Sequence, residues 1–291
     1  METRWLYTTS ENMESLREAS KDTCIIPMGC VEKHGLHLPL GTDILQASRI
    51  AYLASQMETV CVFPDFTFGD IAENVPTAPP GNISVSLELQ MQLLEELCGQ
   101  IARNGFQKIM IFNGHGGNVA WISAFLRKIE NKPHNYVLVN VNIKCAVMER
   151  MAREIREKGS GVYAELTAED ETLILDCAAK KLKDGHSGYS ETAYMLGTAP
   201  NSVYMEKLGV VSGKSKNLTG IYKGAGIQIR DNGWGINFPD WIDSDDPVGC
   251  NERIGKVALQ LEAERLANAI KIIKEDKNLI KWHNELWGVK L

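Results

Sequence analysis

Four short runs of the chain are apolar at almost every position: 23–29 (TCIIPMG), 60–66 (VCVFPDF), 108–114 (KIMIFNG) and 136–142 (YVLVNVN). A strand with one wet face alternates apolar and polar residues. A run that does not alternate reads as a strand covered on both faces, as in a parallel sheet flanked by helices. The stretches between the runs have a helical period. Ile44, Ala47, Ile50, Ala51 and Ala54 share one face of a helix predicted over 44–56. Leu94, Leu97, Cys98 and Ile101 share a face over 87–104, with Ser86 as N-cap and Gly105 as stop. Leu259, Ala263, Leu266, Ile270 and Ile273 mark one stripe of a long late helix. Strand and helix in alternation give an α/β fold with a largely parallel sheet. Segments 69–84 and 218–247 fit neither period; loops of that length inside a compact domain are usually lids, binding loops or oligomer contacts. With no repeat and no low-complexity linker, a single domain over residues 1–291 is expected.

The 291 residues include 31 Lys plus Arg against 37 Asp plus Glu, a net charge of −6. That balance speaks against nucleic acid as a partner, since its binders concentrate Lys and Arg on one face. No apolar run approaches the roughly 20 residues of a membrane span, so no membrane partner is expected. The opening METRWLY lacks the apolar core of a signal peptide. Seven cysteines are spread singly with no C-x-x-C pair, which is neither a disulfide framework nor a zinc ribbon. The expected compartment is the cytoplasm. Cys30 reads as an ordinary buried thiol or a pocket wall.

Histidines and carboxylates gather where strands should end. Glu32, His34, His37 and Asp43 follow the first run, His115 follows the third within NGHGGN (113–118), and His186 and Glu191 lie in a later segment. The carboxyl ends of parallel strands open on one edge, where ligands bind. The first two clusters should therefore project onto that edge, and the third joins them if its loop folds back. Imidazole nitrogen and carboxylate oxygen are the usual partners of Zn²⁺ and similar ions. Glu32 and His34, two apart in an extended segment, share a face. Asp43 could bridge two ions, His115 among glycines can approach a ligand closely, and Glu191 could add a carboxylate. Each has a plainer reading on its own: Asp43 as N-cap of the next helix, His115 facing a phosphate at a helix N-terminus, His37 as a structural histidine. Taken together they point to a metal site.

The same residues carry a resemblance. PMGCVEKHGLHLPLGTD (27–43) resembles the opening motif of the creatininase family, P-x-G-S-x-E-Q-H-G-x-H-L-P-x-x-T-D. NGHGGN (113–118) is similar to its second motif, HSGYSETA (186–193) to its H-A-G-x-x-E-T-S, PPGNIS (79–84) to its substrate-side loop, and DDPVGCNERIG (245–255) to a late segment. The matches run in family order, and on them the chain is identified as a member. The resemblance implies a three-layer α/β/α sandwich around a mostly parallel sheet and a homo-oligomer, commonly a hexamer. It also implies a hydrolase with one or two divalent ions per subunit, Zn²⁺ or Mn²⁺, acting on small polar, often cyclic, amides. By position, Glu32, His34, Asp43 and His115 match family metal ligands, with Asp43 the bridge. His186 matches the acid/base histidine, and Glu191 could complete the second ion's shell. Gly116, Gly117, Tyr189 and Asn82 fall on the substrate side.

The departures are specific. Creatininase has a glutamate ligand two residues after the second-motif histidine, where this chain has Gly117. Cys30 stands for Ser, Lys33 for Gln, and Tyr189 where many relatives have Glu. These changes surround the pocket and argue against creatinine as substrate. The expected reaction is hydrolysis of a lactam-type C–N bond. The alternative is hydrolytic C–C cleavage of a cyclic 1,3-diketone such as a diketo-inositol. A non-catalytic metal-binding scaffold is the third reading, kept open by Gly117.

Overall fold

In the computed structural model, which describes residues 1–71, 78–227, 229 and 232–288, the four apolar runs become four parallel strands. They are β1 (Thr23–Met28), β2 (Cys61–Val62), β3 (Lys108–Asn113) and β4 (Val137–Asn142), in the order β2-β1-β3-β4. Thr23 pairs with Lys108 and Met28 with Asn113, so β1 and β3 end level with each other. The main helices are α1 (Met13–Ala19), α2 (Thr42–Met57), α3 (Leu87–Arg103), α4 (Asn118–Ile129), α5 (Val147–Lys158), α6 (Ala168–Lys180) and α7 (Tyr189–Thr198). After them come the short α8 (Gly220–Gly224) and α9 (Asn232–Asn237), the long α10 (Glu252–Glu275) and α11 (Leu279–Leu286).

Side chains of the inner strands divide between two apolar clusters. Ile25, Met110 and Phe112 pack with Ala47, Ile50, Met151, Ala193 and Leu266 of α2, α5, α7 and α10. Cys24, Ile26, Met28, Ile109 and Ile111 pack on the opposite face with Leu94, Ile101, Trp121 and Phe125 of α3 and α4. This is the expected three-layer α/β/α sandwich. Each fully buried Ile, Leu or Phe contributes about 1.5–3 kcal/mol, so the two clusters hold both helix layers to the sheet.

Three expectations need correction. The run over 60–66 yields only a two-residue β2. Pro64 has no N–H to give, although Phe63 and Phe66 still donate to Ile25 and Pro27 of β1. β4 is an edge strand, half-buried throughout rather than covered. The segment 218–247 is not all loop, because α8 and α9 lie within it. Residues 72–77 of the first expected loop and 228, 230 and 231 of the second lie outside the described residues. Both ends of α3 match the sequence expectation: Ser86 accepts from Leu89 N–H, and Gly105 turns the chain at φ +92°. Among the described residues no helix is long and apolar enough to cross a membrane.

The chain runs from β1 out to β2 on one side and returns to β3 on the other, so the β1–β3 boundary is where the connections diverge. Such a boundary leaves a crevice at the strand ends. Here α2 fills part of it. A β-carbon at Gly29 would lie 2.5 Å from Ile44 N, and one at Gly114 would lie 2.6 Å from Asp43 O. Only glycine at both strand ends lets the first turn of α2, with Asp43, sink between β1 and β3.

Candidate metal centre

Glu32 and His34 leave the end of β1, His115 leaves the end of β3, and His186 and Glu191 approach from the start of α7. Asp43 sits in the first turn of α2, but the N-cap of that helix is Gly41, so the capping role does not apply. Its carboxylate is turned inward instead. Oδ1 lies 3.3 Å from His34 Nε2, and Oδ2 lies 2.7 Å from His115 Nδ1. Glu32 Oε1 is 3.2 Å from His115 Nδ1 and 3.6 Å from His186 Nδ1. Glu191 Oε2 is 3.6 Å from His34 Nε2. The His186 ring stacks on His34 with centroids 4.1 Å apart.

Each of the three histidines is tied by its other ring nitrogen to a backbone carbonyl. His34 Nδ1 bonds to Glu32 O at 3.0 Å, His115 Nε2 to Asp70 O at 2.8 Å, and His186 Nε2 to Lys33 O at 2.9 Å. A carbonyl only accepts, so these nitrogens carry the proton, and the inward nitrogens are the ones free to offer a lone pair. Metal-binding histidines are oriented in this way. Glu32 Oε1 and His34 Nε2 are buried with no hydrogen-bond partner of good geometry. Leaving such an atom unpaired costs about 1–3 kcal/mol, and a cation is the partner both could share. Three overlapping groups place their donor atoms within 4.8 Å of one another: Cys30, Glu32, Asp43 and His115; Glu32, His34 and His186; His34, Asp43 and Glu191.

The electrostatics say the same. Burial pushes the carboxyls up, but the histidines beside them hold Asp43 well below its ordinary value and Glu32 below its own. For Glu191 burial prevails over His34, and its pKa rises to about 7. Burial opposes charge on His34, yet Asp43, Glu191 and Glu32 raise it to about 10; His115 is likewise raised well above the usual value. Protons on two histidines thus supply the positive charge that the buried carboxylates of Glu32 and Asp43 demand. A divalent cation can take their place. His186 differs, since burial and the neighbouring His34 lower it to about 4 and keep it neutral at pH 7.

The remaining residues singled out from the sequence divide. Gly116 and Gly117 are exposed at the end of β3. A β-carbon at Gly117 would lie 2.5 Å from both Asp70 O and His115 Nε2, so any side chain there disrupts the bond that orients His115. A glutamate ligand does not fit this position, and Glu191 is the carboxylate found beside His34. Asn82 accepts from Lys33 N–H through Oδ1 at 2.7 Å, while its Nδ2 is buried without a partner. Its oxygen therefore positions the Glu32–His34 segment. Tyr189 is not in the pocket: it is 4% exposed, packs in the core, and donates its hydroxyl to Val248 O at 3.1 Å. As the N-terminal residue of α7 it packs in the apolar core, while Glu191, two residues on, lies beside His34. His37 is structural, its Nε2 3.0 Å from Thr192 Oγ1.

Cys30, read from the sequence as a buried thiol or a pocket wall, and Trp234 and Trp241, open there between core, subunit contact and substrate lid, have contacts that the sequence did not specify. Cys30 Sγ donates to Asp43 Oδ2 at 3.1 Å, inside the cluster; the signal was the replacement of a motif Ser by Cys. Trp234 and Trp241 meet His186 edge-on, with centroids 5.1 and 6.5 Å away, and form an aromatic wall beside it. Nothing in their spacing pointed to His186. Trp121 lies in the core and donates to Asn118 Oδ1 at 2.8 Å.

The creatininase family model, described as creatinine amidohydrolase, matches residues 7–270. The chain belongs to the creatininase family. Members of the family are hydrolases. It is 26% identical over 192 residues to the mycofactocin precursor peptide peptidase of Mycolicibacterium smegmatis, a match covering 63% of this chain and 61% of that protein. It is 25% identical over 205 residues to the 3-dehydro-scyllo-inosose hydrolase of Thermotoga maritima, covering 69% of this chain and 58% of that one. The chain thus spans about three fifths of the length of these curated relatives. Among solved structures, a creatininase described as the Mn form superposes with a TM-score of 0.68 at 15% identity, covering 95% of this chain and all of that one. A mutant creatininase of Zn–Zn type gives 0.67 at 15% identity with the same coverage. At that identity the likeness shows the fold.

Proposed function

We propose that this chain is a metal-dependent hydrolase that opens a small polar cyclic substrate at a C–N amide bond, with one or two ions of Zn²⁺ or Mn²⁺ per subunit. The observation that carries the reading is Asp43, whose two carboxylate oxygens face two different histidines, His34 and His115, each held with one ring nitrogen turned inward. Glu32, Asp43 and His115 would hold one ion, and His34, Asp43 and Glu191 the other, with Asp43 shared. A divalent ion there supplies a water acidified to near neutral pH and an electrophile for the substrate carbonyl.

The chain's own groups supply the rest. His186 is neutral, its ring is fixed by Lys33 O, and its Nδ1 faces the cluster. It accepts a proton as water attacks and returns it to the leaving nitrogen, a role usually worth about 10²–10⁴ in rate. Gly116 and Gly117 leave backbone exposed at the end of β3 for a substrate oxygen. Trp234 and Trp241 close one side and present flat apolar surface to a ring. The proposed protein is cytoplasmic, folds as one domain and assembles as a homo-oligomer, with the family hexamer as the expected state. Neither nucleic acid nor a membrane is a proposed partner.

Hydrolytic C–C cleavage of a cyclic 1,3-diketone is the second reading. The likeness to an inosose hydrolase supports it, and so does the geometry, because His186 could protonate an enolate carbon as readily as an amine. Incubating the zinc- and manganese-loaded protein with cyclic amides and with a diketo-inositol separates the two. Turnover of amides alone supports the first reading; turnover of the diketone alone replaces it. Turnover of neither, with metal bound, favours the scaffold.

A further inference from the structure

We infer that Cys30 is itself a ligand, a thiolate that joins Glu32, Asp43 and His115 around one ion and makes that site a mixed sulfur, nitrogen and oxygen site. The inference rests on the reading that the pocket holds a divalent cation. Cys24, Cys61, Cys98, Cys177 and Cys250 are packed in the two apolar clusters, as small core residues usually are. Cys30 belongs to neither. It is fully buried, and its Sγ lies 3.1 Å from Asp43 Oδ2, the same oxygen that His115 Nδ1 approaches to 2.7 Å.

A second observation stands apart from the cysteine. Glu32 Oε1 belongs to the same group of donors, is buried, and has no hydrogen-bond partner of good geometry. One sulfur, one nitrogen and two carboxylate oxygens therefore converge, all within 4.8 Å of one another, and a buried Glu32 oxygen among them makes no hydrogen bond of good geometry. Four protein donors of this kind fill a tetrahedral site, so the acidified water of the proposed reaction would belong to the ion beside His34, Asp43 and Glu191. A serine hydroxyl at this position would orient Asp43 and bind metal weakly; a thiol can do the first in the metal-free protein and ligate when an ion arrives. On binding, the S–H bond breaks heterolytically, the sulfur keeps the electron pair that forms the S–metal bond, and the proton leaves to solvent. No electron is gained or lost. Thiolate is a soft donor, so the site should favour Zn²⁺, Co²⁺ or Fe²⁺ over Mn²⁺ and Mg²⁺.

The test uses the whole chain, stripped by chelator and reloaded with Co²⁺, beside the Cys30→Ser variant, with bound cobalt measured in each. The expected result is an intense near-ultraviolet thiolate-to-cobalt charge-transfer band in the wild type that is absent from Cys30→Ser, while visible cobalt bands remain in both. The variant should also lose about tenfold or more of its preference for Zn²⁺ over Mn²⁺. Bound cobalt without the band, or a band that survives in Cys30→Ser, overturns the ligand role and leaves the metal-site reading intact. Less than one cobalt per wild-type chain overturns both. Zinc-edge X-ray absorption on the wild type requires no variant. A sulfur at ~2.3 Å supports the inference, and a shell of nitrogen and oxygen alone at ~2.0–2.2 Å refutes it.

Discussion

Glu191, in the first turn of α7, brings Oε2 to 3.6 Å from His34 Nε2, across the pocket from β3. The same carboxylate accepts from Ser187 N–H at 2.6 Å, which fixes it at the head of the helix. If Glu191 serves as the carboxylate that position 117 lacks, a clean expectation follows. Glu191→Ala should remove the ion on the His34 side and leave the one held by Glu32, Asp43 and His115. Metal analysis should then fall from two ions per chain to one, or, where only one binds, affinity should drop about ten- to a hundredfold. Gly117→Glu should not restore the loss, because its side chain would displace His115 from Asp70 O.

His115 and His186 should separate cleanly. His115→Ala removes an inward lone pair next to both Asp43 and Glu32, so bound metal and activity should both be lost. His186→Ala should keep the metal and lose about 10²–10⁴ in kcat. Metal content measured beside turnover checks the split; equal metal loss in both variants would refute it.

Metal uptake should release protons. Without an ion, His34 titrates at about 10, because three carboxylates outweigh its burial, so at pH 7 it is protonated. A cation can ligate only the neutral imidazole. Zn²⁺ titrations in buffers of different ionisation enthalpy should report at least one proton released per chain at pH 7. The share released by His34 should fade as the pH is raised through about 10. NMR of the metal-free protein should show the opposite for His186, which stays neutral down to about pH 4.

Asp170 completes a capping box with Thr167 and pairs with Arg253 and Asn251 at the head of α10. Its bonds, that to Arg253 foremost, hold its pKa well below 3.8. A lowered folded-state value contributes stability above the ordinary carboxylate pKa and loses it as the pH falls through the folded value. Asp170→Ala should cost about 1–3 kcal/mol at pH 7. The gap to wild type, read by denaturant unfolding, should narrow below about pH 4.

Much of the pocket was legible because its ligands follow strand ends, and parallel strands end on one edge. Apolar runs identified β1 and β3, and register alone then brought Glu32 and His34 close to His115. The third segment was harder. That His186 and Glu191 fold back depends on α7 packing against α2 and α10, a tertiary fact with no local period. Tyr189 was misplaced for a related reason: adjacent positions at a helix start point in different directions, and motif alignment does not show which faces the pocket. Asp43 was ambiguous by itself, since an Asp before an apolar helical stripe is a common cap. What decided it was Gly29 and Gly114, which admit the helix turn between the strands. Pro64 shortened β2 in a way that a count of apolar residues overlooks. Cys30 shows the limit of composition, because a buried cysteine is ordinary until its neighbours are carboxylates.

The most direct test of the central claim is a crystal structure of the chain reloaded with Zn²⁺, with anomalous scattering recorded at the zinc edge. The account expects at least one strong anomalous peak at about 2.0–2.2 Å from an oxygen of Asp43 and a nitrogen of His34 or His115. A map with no peak within reach of Asp43, in a protein whose Asp43, His34 and His115 keep the positions described, would contradict it.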